Sequence, residues 1–171
     1  DPQVSAVSRP LAILGTLQFL TPAGTTEWAV GTQQEIVWQS RGPVSRVNLE
    51  YSTDGFAAEN VLIVSDLPAS GRMMWTVPDL VASNVSLRVS ESLNSAVSVV
   101  TPVPVKITGG FHVDLPAAGA RWTVGERQEI RWRTLGSVPQ VHLEYSNDEF
   151  RQHRETIAEN VENLGRYEWT I

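Results

Sequence analysis

At 171 residues the chain is long enough for one large domain or two small ones. Its net charge of −6 and pI near 5.0 argue against a nucleic-acid-binding face, which needs clustered basic residues. It has no cysteine, hence no disulfide or thiolate metal site, and no apolar run approaches the roughly 20 residues of a membrane-spanning helix.

Read in chain order, the sequence predicts short strands and turns, with no helical periodicity. Residues 1–14 carry no charged-then-apolar leader, as expected of a mature or excised piece. Leu17–Leu20 is a first strand, closed by Pro22-Ala23-Gly24. Ile36 and Trp38 face one way while Glu35, Val37 and Gln39 face the other, a period of two. After the Arg41-Gly42-Pro43 turn, Val47, Leu49 and Tyr51 alternate with Asn48 and Glu50. Asp54-Gly55 reads as a hairpin turn, because both residues tolerate positive φ. Val61–Val64 is a more continuously apolar strand, and Met73, Trp75 and Val77 line one face of the next. Val85, Leu87 and Val89 alternate again. Val97–Ile107, interrupted by Pro102 and Pro104, reads as a final edge strand, where missing amide donors are tolerated. About seven strands with frequent turns predict an immunoglobulin-like or fibronectin-type sandwich.

The pattern then repeats. Trp122 follows Trp28 by 94 positions, and the same offset holds without a gap to Ile171. Gln34-Glu35-Ile36-Val37-Trp38 returns as Gln128-Glu129-Ile130-Arg131-Trp132, and Val47–Phe56 returns as Val141–Phe150. About two-fifths of the positions paired between Pro22–Val77 and Pro116–Ile171 are identical, which is tandem duplication. The expected organisation is a terminal strand over 1–14, a first sandwich over 15–108 and a second, incomplete one over 109–171, joined by a short linker at Gly109-Gly110 that leaves limited freedom. Pro10–Gly15 stands 94 positions before Pro104–Gly109, so the opening segment reads as the last strand of a preceding unit. Ile171 corresponds to Val77, so counterparts of the strands at 83–90 and 97–108 are absent. An open core is expected there, completed by more of the same polypeptide or by another chain. In Asp148-Glu149 the turn glycine is lost, predicting a longer or differently shaped loop.

The six tryptophans fall into repeat-related pairs: Trp28 with Trp122, Trp38 with Trp132, and Trp75 with Trp169. Alternation places Trp38 and Trp75 inward, where an indole can pin a core that has no disulfide. Trp28 and Trp122, next to a turn, are the candidates for stacking on a sugar ring, although a structural role is expected for them as well. Glu35 and Glu50 could be imagined as a glycosidase pair, but both occupy outward strand positions with no pocket to tune them, and Arg72 is available as a cross-strand partner. Ser52 and Asp54 resemble a fragment of a calcium loop without its second set of acidic ligands. His112, His142 and His153 have no metal-ligand spacing, there is no nucleophile elbow or phosphate loop, and Asn84-Val85-Ser86 is a glycosylation sequon of a kind that arises often by chance. No catalytic residue, metal or cofactor is therefore assigned.

The ordered set Pro-x-x-Gly, Trp-x-x-Gly, Ile-x-Trp, Val-x-Leu-x-Tyr-Ser-x-Asp-Gly, Gly-x-x-x-Trp-Thr-Val-Pro and Leu-Arg-Val is similar to the Ser/Thr-rich glycosylphosphatidylinositol-anchored membrane family. That module is shared by yeast cell-wall glucan-synthesis proteins and large bacterial secreted proteins. The resemblance covers Pro22–Val89 and Pro116 onward, and departs at Glu149 and at the missing Leu-Arg-Val strand. It implies an extracellular or cell-surface, non-catalytic Ig-like repeat, with neighbouring repeats and cell-wall or extracellular polysaccharide as partners, no nucleic acid, and no membrane insertion of this segment. Two further readings stand beside this spacer, stalk or adhesion scaffold. One is an accessory carbohydrate-binding module using Trp28 and Trp122. The other is a surface-assembly subunit that donates residues 4–14 as a strand.

Overall fold

The structure is a computed structural model, in which residues 9–171 are described. The described residues are all-β, and none forms a helix long and apolar enough to cross a membrane. The fold is an immunoglobulin- and fibronectin-III-like antiparallel sandwich, and its strands follow the alternation of the sequence.

In the first repeat, β1 (Thr16–Thr21), β3 (Gln33–Arg41) and β6 (Gly71–Thr76) form one sheet in the order β1-β3-β6. The other sheet runs β2-β9-β7-β4-β5, from β2 (Thr26–Ala29), β4 (Arg46–Ser52), β5 (Val61–Pro68), β7 (Ala82–Glu91) and β9 (Val105–Thr108), with β8 (Ser98–Val100) also on β7. Strand β4 lies inside the sheet, next to the edge strand β5, and pairs on both sides: Leu49 stands opposite Val64 on β5 and Val89 on β7. Every second residue turns inward, so Ile36, Val47, Leu49, Val85, Leu87 and Val89 are fully buried and Trp38 nearly so. The Trp38 indole N–H donates to the carbonyl of Pro68 (3.2 Å), so the buried ring keeps no unsatisfied donor.

The second repeat has β10 (Gly110–Leu115), β11 (Arg127–Leu135) and β14 (Arg166–Thr170) in one sheet, and β12 (Gln140–Tyr145) with β13 (Glu155–Glu162) in the other. Local geometry is copied from the first repeat. Cis peptides precede Pro22 and Pro116, and the register shifts in β4–β5 recur at the same positions of β12–β13. Asp66 (φ 59°) and its counterpart Asn160 (φ 52°) both take the left-handed conformation. By contact, the chain divides into two compact units: one takes in residues up to Thr26, Glu35–Met74 and Asn84–Val105; the other takes in Glu27–Gln34, Trp75–Ser83 and Lys106–Ile171.

Four expectations are corrected. Residues 26–29 form a short strand (β2) that apolar alternation did not mark. The stretch Val97–Ile107 is two strands, β8 and β9, and β9 lies between β2 and β7, not at an edge. Pro102 and Pro104 fall in the loop between them, so neither removes a ladder donor. Of the strand expected to open the chain, residues 4–8 lie outside the described residues, and residues 9–14 form no strand. Finally, Asp54-Gly55 is not a two-residue hairpin turn, and its counterpart keeps the same loop despite Glu149, as described next.

Candidate functional site

The repeated Ser-x-Asp is a loop staple. Ser52 Oγ donates to Asp54 Oδ1 (2.6 Å) and accepts the amides of Asp54 (3.0 Å) and Phe56 (2.9 Å). The Asp54 carboxylate also accepts the amides of Ala57, Ala58 and Glu59 at 3.1, 2.8 and 2.9 Å. Ser146 and Asp148 rebuild it with the amides of Phe150, Arg151, Gln152 and His153. The Ser52 hydroxyl, followed by the loop amides, pulls the Asp54 pKa down to about 2, and Ser146 with its loop amides lowers that of Asp148. Glu149 holds φ 60° where Gly55 holds 70°, so the loop tolerates the lost glycine at a local conformational cost instead of changing shape. These carboxylates are committed to loop amides.

The repeated glutamates are paired. Glu35 meets Arg72 (3.5 Å), as the sequence suggests, and Glu50 meets Arg88 of β7 (2.8 Å), whose guanidinium lies 4.1 Å from the centre of the Phe56 ring. In the second repeat Arg154 stands in both places, 3.6 Å from Glu144 and 6.0 Å from the Phe150 ring centre. Arg133 draws Asp114 into a bidentate pair and, with His112, lowers its pKa.

The tryptophans divide by repeat. Trp28 is 5% exposed and packs edge-on against Trp75 (5.8 Å), which leaves it no free face for a sugar ring. Trp122 meets Trp169 in the same edge-on way (6.1 Å) but is only half-buried, and Tyr145 closes on the other side of Trp169 (5.2 Å). Beside them lies an open, mainly apolar cavity of about 720 Å³, whose walls include Trp122, Ile130, Trp132, Leu143, Tyr145 and Trp169. It occurs because β12 pairs only with β13, whereas β4 has neighbours on both sides. Buried apolar residues here reduce to Ile130, Trp132 and Val141, with Leu143, Ile157, Val161, Tyr167 and Trp169 half-buried around them.

One cluster escaped the sequence reading. Within the second compact unit, a Cβ placed on Gly136 (φ 87°) would lie 3.1 Å from methyls of both Val30 and Val81. Alongside, Asp79 accepts the Ser137 amide (2.6 Å) and hydroxyl (2.9 Å). A glycine followed by a serine carries no alternation signal; only its recurrence at Gly42 could have flagged it.

No family model matches the sequence, and no curated protein matches it. Among solved structures, the chain is similar to one described as the fibronectin(III)-like modules of Clostridium thermocellum CbhA. The identity is 17%, over 91% of this chain and 79% of that one, with a TM-score of 0.36.

Proposed function

We propose that the chain is a non-catalytic, repeated β-sandwich module of a long secreted or cell-surface protein, acting as a spacer, stalk or adhesion scaffold. The observation that supports this best is what the duplication preserved. Ile36 and Ile130, Trp38 and Trp132, and Val47 and Val141 are core positions, while Ser52 with Asp54 and Ser146 with Asp148 are loop staples. The charged groups Glu35 and Glu50 on the strand faces are matched by neighbouring arginines. Residues kept for shape, with outward faces free to diverge, suit a part whose work is mechanical.

Trp122 supplies the discriminating test, since its indole is half-buried and borders the apolar cavity. On a glycan array and in affinity electrophoresis with cell-wall polysaccharides, the chain is expected to show no retention. Retention that disappears in Trp122→Ala, with an unchanged melting temperature, would replace the scaffold reading with that of an accessory carbohydrate-binding module.

A further inference from the structure

We propose that the border between the two repeats is a locked joint and not a hinge, and that Asp79 is its latch on Ser137. The residues that build it all belong to the second compact unit, which joins Glu27–Gln34 and Trp75–Ser83 of the first repeat to Lys106–Ile171.

The backbone leaves little slack at the border. Strand β9 ends at Thr108 and β10 begins at Gly110, so Gly109 alone lies between them. A single residue supplies only two soft torsions, φ and ψ. Paired glycines read as a flexible linker in the sequence, yet Gly109 is confined by its surroundings. A Cβ there would stand 2.8 Å from the Leu135 carbonyl oxygen and 2.8 Å from a Val138 methyl. Gly15, 94 positions earlier, is hemmed in by the corresponding Arg41 carbonyl and Val44 methyl. At both places glycine serves close approach, not freedom.

Packing then fills the space beside it. Methyls of Val30 and Val81 rest on Gly136, 3.1 Å from where its Cβ would be, and the Gly109 Cα is 3.3 Å from the same point. Val30 is half-buried and is itself held, because its amide donates to the Thr108 carbonyl (3.0 Å). Methyls seated against bare backbone cannot move closer without overlap.

The latch supplies the opposing restraint. Asp79 accepts the Ser137 amide with one carboxylate oxygen (2.6 Å) and the Ser137 hydroxyl with the other (2.9 Å). Two charge-assisted bonds to one residue fix direction as well as distance. Asp79 is presented by a tight turn in which the Leu80 amide donates to the Pro78 carbonyl (2.8 Å). The valine–glycine contact resists compression and the Asp79 bonds resist separation. Residues 27–34 and 75–83 therefore move with the second repeat. A load carried along the chain passes through these side chains as well as through Gly109.

A locked joint would exist whether or not the chain retains polysaccharide, so this test and the glycan test fail separately. The chain has no cysteine, and nitroxide labels go only where thiols are introduced. Gln33→Cys with Arg127→Cys spans the border between exposed positions, and Arg127→Cys with Gln140→Cys, within the second repeat, is the control. Double electron–electron resonance on the full chain is expected to give a single distance across the border, as narrowly distributed as the control. Asp79→Ala should broaden the cross-border distribution and leave the control distance and the melting temperature unchanged, since Asp79 and Ser137 are both exposed. Ser137→Pro, matching Pro43 of the first repeat, removes both donors and should broaden it likewise. Ser137→Ala keeps the amide bond and should broaden it less. A cross-border distribution wider than the control in the unsubstituted chain would overturn the proposal. So would one that stays narrow in Asp79→Ala.

Discussion

Asp54 is small, exposed and apparently unremarkable as a turn residue, yet it holds a loop together with one carboxylate. Because its folded pKa is depressed to about 2 by Ser52 and the amides of residues 57–59, folding favours its charged form. The sign follows from linkage: the stabilisation is fully present above the unfolded value near 3.8 and is lost as pH falls towards 2. Asp148 acts in the same direction. Melting temperature measured between pH 5 and pH 2 should therefore drop in that window. In Asp54→Asn the drop should be smaller, with the neutral-pH value already lowered. The sequence displayed Ser52 and Asp54 as a repeated pair but not what they bind, because main-chain amides carry no sequence signature. Gly55 misled in the other direction. Its positive φ is real, but it belongs to a stapled loop, and Glu149 adopts the same conformation.

Strands are defined by partners as much as by composition. Leu49 and Leu143 are repeat-related residues at the same point of the same alternation. One is fully buried on a strand with two neighbours, the other half-buried on a strand with one. Leu49→Ala is expected to destabilise by about 2–5 kcal/mol, and Leu143→Ala by roughly half of that, since partial exposure reduces both the transfer and the cavity terms. Urea denaturation followed by tryptophan fluorescence measures both. This contrast also marks how far the sequence could be read. Alternation exposed β3, β4 and β6 directly, since each buries one face, and the apolar residues of β7 alternate although it is buried on both. It missed β2, whose four residues contain one inward side chain, Trp28. It also merged β8 and β9, because the prolines between them look alike in an edge strand and in a loop. That the counterpart of β2 would fail to form could not be seen locally at all; it depends on a strand 79 residues away in the first repeat, as the Glu27–Lys106 pair shows.

At the scale of the molecule, the two repeats carry the same local instructions with different degrees of closure. Amides of β4 are bonded into ladders on both sides, whereas β12 has one ladder, and its free edge borders the apolar cavity. Hydrogen exchange should therefore be faster in β12 and β13 than in β4 and β5, by a factor that grows with the stability difference between the repeats. Equal protection in the two would mean that the open edge is covered in solution. The lining of the cavity was not legible in the sequence, because Trp122 and Tyr145 read as core or turn residues until their neighbours are placed.

The serine at 137 has a meaning that emerges only beside its repeat-related residue. Asp79 grips the amide and hydroxyl of Ser137, and the residue 94 positions earlier is Pro43, which offers neither. Repeats of this kind are therefore not interchangeable beads. A serine-bearing repeat can be held by an aspartate placed as Asp79 is, and a proline-bearing one cannot.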